Sequence, residues 1–129
     1  MGKFVALKVM KLMIQKGIAL KSSRVLILGI TFKENCSDIR DTKVVDVYKE
    51  LKRQGVNVTV YDPVANKEQV KQQLGIRLVK TPTKRQNAVI LAVSHKEYQQ
   101  LKIKDFITKE GVIYDVKSFL PSSIIDGRL

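Results

Sequence analysis

Apolar residues follow two rhythms along the chain. Val25, Leu26, Ile27 and Leu28 form an unbroken run that ends at Gly29, and residues 88–93 form a second one. Runs without alternation suit strands of a parallel sheet covered on both faces, and a glycine lets the chain turn sharply as it leaves the sheet. Residues 56–61 alternate instead and predict a strand that Pro63 blocks, while residues 112–116 follow Gly111 as another. Residues 77–79 predict a short edge strand. The second rhythm is helical. Phe4, Leu7, Met10 and Ile14 recur at helical spacing between Lys3, Lys8, Lys11 and Lys16, with Gly17 as a stop. Asp41 is a candidate N-cap for a helix that turns Val44, Val45, Tyr48 and Leu51 inward and ends at Gly55. A polar helix over 66–74 closes at Gly75, residues 82–86 predict a turn or brief helix, and 96–101 a further helical segment. The tail from Pro121 reads as irregular.

Strands alternating with helices at this interval require right-handed crossovers. The expected fold class is α/β, a Rossmann-like parallel sheet with helices on both faces, preceded by an N-terminal helix. With the strand order 3-2-1-4-5, the switch point lies between the first and fourth strands, where open α/β sheets bind their ligands. Residues 29–33 and Ser94-His95 should flank that crevice, and Lys117, past the last strand, should face it.

A chain of 129 residues with 44% apolar composition supports one domain. No stretch approaches the roughly 20 apolar residues of a membrane helix, and the N-terminus lacks a small-residue cleavage site, which points to a cytoplasmic protein. The single cysteine excludes an internal disulfide framework, and one histidine far from it makes no metal-ligand cluster. A formal charge of +12 attracts phosphates of any kind. The lysines are scattered, aromatic residues make up only 6%, and no RRM-type signature is present, so a specific nucleic-acid binder is disfavoured. A basic surface suited to an anionic nucleotide explains the charge as well. A stand-alone nucleotide-binding or regulatory module is the remaining alternative.

The stretch Leu28-Gly29-Ile30-Thr31-Phe32-Lys33-Glu34-Asn35-Cys36-Ser37-Asp38-Ile39-Arg40 is followed by Thr42-Lys43-Val44 and by Val60-Tyr61-Asp62-Pro63. Asp115-Val116-Lys117 and the terminal Asp126-Gly127-Arg128-Leu129 come later. In these segments the chain resembles the C-terminal domain of the UDP-glucose/GDP-mannose dehydrogenase family, and its spacing is similar to that of bacterial UDP-N-acetylhexosamine 6-dehydrogenases. Ser37 stands where that family often has proline and Asp41 where it often has asparagine; both flank the motif and bear on sugar preference. The resemblance implies a UDP-sugar-binding domain over residues 21–129. Residues 1–20 would be the end of a long central helix that joins two nucleotide-binding halves and helps bring subunits together as a homodimer. The complete enzyme would oxidise a sugar C6 alcohol to a carboxylate with NAD, for polysaccharide synthesis. NAD would be held mainly by an N-terminal half that this chain lacks, leaving the chain alone inactive.

Lys33 is a compact cation at a strand end, a sensible partner for a phosphate. The resemblance implies that Lys33 and the preceding Phe32 contact the nucleotide-sugar, that Lys117 does so from the far side, and that Arg40 reaches toward NAD. From the residues themselves, Arg40 has an alternative in an ion pair with Asp38 or Asp41. A dinucleotide loop needs Gly-x-Gly-x-x-Gly, and here Thr31 and Glu34 replace the second and third glycines, so independent NAD binding is not expected. Asp62 before Pro63 reads as an ordinary turn and not as a ribose-binding acid. Cys36 has no base evident beside it, and the family's nucleophile lies in an upstream segment absent here, so no catalytic residue is assigned. His95 follows the fourth strand and could serve as an acid or base, but a lone loop histidine is more often solvated, and solvated is the expected state.

Overall fold

The computed structural model describes residues 2–129. Its elements run α1 (Gly2–Gln15), β1 (Arg24–Leu28), α2 (Val44–Arg53), β2 (Asn57–Tyr61), α3 (Lys67–Leu74) and β3 (Gln86–Leu91). Two 3₁₀ turns, Lys96–Gln100 and Ile103–Phe106, then lead into β4 (Ile107–Asp115) and β5 (Gly127–Arg128). All pairings are parallel, in the order β2-β1-β3-β4-β5. The expected edge strand over 77–79 is reduced to one parallel bridge, Leu78 on Val60, so the expected order holds with its outermost member shortened. The tail is not irregular throughout: Gly127 and Arg128 pair with Tyr114 and Asp115 at the opposite edge.

The unbroken apolar runs do what their pattern requires. Successive side chains of a strand point to opposite faces. Val25 and Ile27 join Ala88, Ile90, Val112 and Tyr114 on one face, and Leu26 and Leu28 join Val89, Leu91 and Ile113 on the other. α1 and α2 cover the first face with Val9, Met13, Val47 and Leu51. The 3₁₀ turns cover the second with Tyr98 and Ile103. Each fully buried aliphatic side chain contributes about 1.5–3 kcal/mol relative to exposure, so these layers dominate the stability.

Local chemistry sets the helix ends. Asn66 caps α3 by accepting from the Gln69 amide at 3.0 Å, and Gly75 ends that helix in the left-handed region at φ 70°. α2 starts at Val44 with Lys43 at its N-cap position, two residues later than the expected Asp41. Asp41 itself adopts φ 57°, and the Thr42 hydroxyl accepts from the Val44 amide at 3.3 Å. Both residue types suit a helix start, and the turn at Asp41 delays it.

α1 carries two apolar faces. Val5, Ala6, Val9, Met10 and Met13 are buried, whereas Phe4, Leu7 and Ile14 are 50%, 51% and 60% exposed. Of the stripe read from the sequence only Met10 turns inward. The helix sits close on α2, where a Cβ on Gly2 would lie 2.5 Å from that of Asp46 and 2.6 Å from the Lys43 carbonyl. After α1, Lys16 Nζ donates to the Gly111 carbonyl at 3.0 Å and pairs with Asp126 Oδ1 at 2.6 Å, while Asp126 Oδ2 accepts from the Ile113 amide. No helix among the described residues is long and apolar enough to cross a membrane.

Candidate functional site

The C-terminal ends of β1, β2, β3 and β4 lie side by side, and each empties into a segment with chemistry on it. Asp62, at the end of β2, is buried, and both of its oxygens are engaged. Oδ2 accepts from the Ile30 amide at 2.7 Å and lies 3.0 Å from His95 Nε2, and Oδ1 accepts from the Val64 and Ala65 amides at 2.8 and 3.0 Å. Burial alone would raise the Asp62 pKa, but the His95 hydrogen bond and the Ile30 and Ala65 amides outweigh it and hold the carboxyl below its usual range. The turn reading of Asp62 is therefore correct.

His95 departs from expectation. It is completely buried, not solvated. Its Nδ1 accepts from the Asn35 amide at 2.9 Å, which places the ring proton on Nε2, facing Asp62 and, at 3.1 Å, the Thr31 hydroxyl. Tyr98 walls the ring with centroids 5.5 Å apart and donates its hydroxyl proton to the Tyr61 carbonyl at 2.7 Å. Burial pushes the Tyr98 phenol far up, so it stays protonated.

The loop that follows Gly29 is an arch. Thr31 donates its hydroxyl to the Lys33 carbonyl at 3.0 Å, and the Phe32 amide donates to the Asp38 carbonyl at 2.6 Å. Asp115, the last residue of β4, is buried and accepts from the Lys117 and Leu120 amides at 2.9 and 2.7 Å. These bonds close the turn at the end of β4, where the Val116 amide still donates to the Leu91 carbonyl at 2.9 Å. Phe32 and Lys117 thereby meet at a crevice of about 270 Å³, floored by Ala92 and Val93 and closed on one side by Thr42 and Lys43. The Phe32 ring is 55% exposed. An aromatic face opposite a lysine suits a flat base attached to phosphates.

Lys33 and Arg40 do not line this crevice. Lys33 lies exposed on the arch. Arg40 forks onto Asp38, with Nε 3.0 Å from Oδ1 and Nη2 2.9 Å from Oδ2, and its side chain is 81% exposed. That fork holds the Asp38 carboxyl down at about 2. Because α2 begins at Val44, Arg40 does not oppose the helix dipole. A larger hollow of about 680 Å³ lies between the 3₁₀ turns and residues 118–124. It is lined by Leu101, Ile103, Phe119 and Leu120 and holds no residue of the arch. Among the described residues no group of three His, Cys, Asp or Glu is placed to hold a metal ion.

Residues 26–122 match the UDP-glucose/GDP-mannose dehydrogenase family, UDP binding domain. The chain belongs to this family. It is 41% identical to a UDP-N-acetyl-D-glucosamine 6-dehydrogenase of Salmonella typhi, across 100% of this chain and 31% of that protein. Protein CapL of Staphylococcus aureus is 40% identical, across 95% of this chain and 30% of CapL. Among solved structures, a UDP-D-ManNAc dehydrogenase from Pyrococcus horikoshii superposes with a TM-score of 0.76 over 98% of this chain and 30% of its own, at 15% identity, which speaks to the fold. The chain thus spans 31% and 30% of the two relatives it matches by sequence.

In this UDP binding domain the residues at the strand ends do not fit NAD. The arch lacks the second and third glycines of a pyrophosphate loop, and Asp62, at the place of a ribose-binding acid, has both oxygens occupied by the fold. Of the residues expected at one crevice, the structure brings Phe32 and Lys117 to its lining but not Lys33, Ser94 or His95. Sequence reasoning missed Lys43 as a lining residue, and it missed the part of His95, for which no local signal exists.

Proposed function

We propose that the crevice at the ends of β1 and β3 holds the uridine diphosphate of a UDP-sugar, and that the chain serves an NAD-dependent UDP-sugar 6-dehydrogenase of polysaccharide synthesis. The convergence of Phe32 and Lys117 on one crevice carries this reading. Phe32 offers its ring to the base, and Lys117, with Lys43 beside it, offers charge to the diphosphate. The net charge of +12 steers the anionic ligand in.

Converting a C6 alcohol to a carboxylate removes two hydrides and takes an oxygen from water. Among the described residues none is placed for that chemistry. Cys36 is a half-buried free thiol, and His95 has both ring nitrogens engaged within the fold. The contribution of this chain is binding energy remote from the reacting carbon, which holds the sugar against catalytic residues on the other half of the enzyme. NAD belongs to that half, and the exposed guanidinium of Arg40 reaches toward it. Two copies associate through the outer face of α1, and the reaction takes place in the cytoplasm.

Calorimetric titration of the chain with UDP tests the reading. Binding that UDP elicits and uridine does not is the expected outcome, with no NAD reduction when a UDP-sugar is added. Absence of heat at millimolar UDP, from protein shown to be folded, refutes it.

A further inference from the structure

We infer that His95 is a positioning residue that sets the conformation of the arch presenting Phe32 to the nucleotide. The inference rests on the proposed UDP site but concerns a residue outside its lining. One imidazole holds both feet of the arch. Its Nε2 lies 3.1 Å from the Thr31 hydroxyl, and its Nδ1 accepts from the Asn35 amide at 2.9 Å. The Lys96 amide adds a reciprocal bond to Asn35 Oδ1 at 2.9 Å. Between the feet, Phe32, Lys33 and Glu34 are all exposed. The anchor is itself anchored, because Asp62 orients Nε2 while accepting from the Ile30 amide one residue before the arch.

This arrangement has a strict chemical requirement. Nδ1 must be an acceptor, because a backbone N–H points at it, and Nε2 must be a donor, because a carboxylate faces it. Neutral imidazole with its proton on Nε2 meets both. Asn35 adopts φ 57°, a conformation that a side chain disfavours and that the two bonds to residues 95 and 96 hold in place. Loss of the imidazole orphans the Asn35 amide and releases the arch.

The test combines nitrogen-15 NMR with UDP titration of the chain. In the wild type, His95 should show a protonated Nε2 and a bare Nδ1, and the Asn35 amide should exchange slowly. His95→Leu should shift and expose the amides of residues 32–35 and weaken UDP binding about tenfold or more, the consequence of a part-buried donor left without its acceptor and of the arch released with it. His95→Asn, whose Oδ1 takes the place of Nδ1, should restore the Asn35 amide signal and most of the affinity. If His95→Leu does not fold, Thr31→Val, which removes the hydroxyl's contacts with His95 and with the Lys33 carbonyl, serves instead and should disturb the same amides with a loss of about threefold. A folded His95→Leu or Thr31→Val protein with unchanged arch amides and unchanged affinity overturns the inference, as does a wild-type His95 bearing its proton on Nδ1. Should the wild type fail to bind UDP, the proposed function fails, and the arch amides alone then decide the role of His95.

Discussion

A methyl group placed on Gly29 would have its carbon 2.5 Å from Cβ of Val93, closer than packed atoms can come. Gly29 also holds φ 101°, which a side chain disfavours. It is the point where β1 turns into the arch, pressed against the end of β3. Gly29→Ala is therefore expected to destabilise the fold by about 2–4 kcal/mol, from backbone strain plus overpacking. Denaturant titration measures this directly, and a loss below 1 kcal/mol would show that the two loops separate easily.

Lys117 and Phe32 should separate in their effects on UDP. Lys117→Ala removes a charge-assisted contact and is expected to weaken binding by about 1.5–3 kcal/mol, and Phe32→Ala removes a stacking surface worth about 1–3 kcal/mol. Only the Lys117 variant should flatten the salt dependence of binding. Lys33→Ala, on the exposed arch away from the crevice, should cost the isolated chain less than either. Calorimetry across a salt series distinguishes the three, and a Lys33 effect larger than that of Lys117 would mean that the arch closes over the phosphates.

Why the sequence disclosed some of this and not the rest follows from where each signal lies. Val25, Leu26, Ile27 and Leu28 announce a buried strand because every one of them is needed, two on each face. The crevice between Phe32 and Lys117 was legible because strand ends of one sheet adjoin by topology. His95 was not, since its neighbours Ser94, Lys96 and Glu97 are polar, and its hydrogen-bond partners lie more than thirty positions away, with Tyr98 as the one nearby wall. α1 was half legible: the stripe of Phe4, Leu7 and Ile14 is left exposed, as a linker-helix reading requires, while the second apolar face of Val5, Val9 and Met13, which the domain covers, did not stand out from the spacing. β5 has two residues and no pattern at all; backbone bonds and the Asp126 carboxylate on Ile113 place it.

Acid should unfold the chain partly through Asp62. Its pKa is lowered in the fold, so its contribution to stability is fully present above the unfolded carboxylate value of about 3.9 and is lost as pH falls through the lowered folded value. The melting temperature should fall below about pH 4. Asp62→Asn should lower stability at pH 7 by about 2–3 kcal/mol and leave a shallower acid limb. Thermal melts at pH 7, 5 and 3 give both slopes, and identical slopes would remove Asp62 from the account.

The two faces of α1 should respond differently to substitution. Leu7→Glu with Ile14→Glu is expected to leave a folded chain and to convert micromolar self-association into a monomer by light scattering. Met13→Ala, on the covered face, is expected to cost about 2–4 kcal/mol of stability with no change in association. A wild-type monomer at that concentration would refute pairing through the outer face.

The sheet is unequally clothed. α-Helices back Val25 and Ile27, whereas Leu26, Leu28 and Ile113 lie beneath 3₁₀ turns. Such turns hold few hydrogen bonds, so local opening begins on that side. Tyr98 belongs to the first of them and packs against the His95 ring. UDP bound at the arch as proposed would make an opening of that turn rarer. Occupancy at one end of the sheet is thereby felt as rigidity along its thinner flank, where amide exchange should slow although no ligand atom touches it.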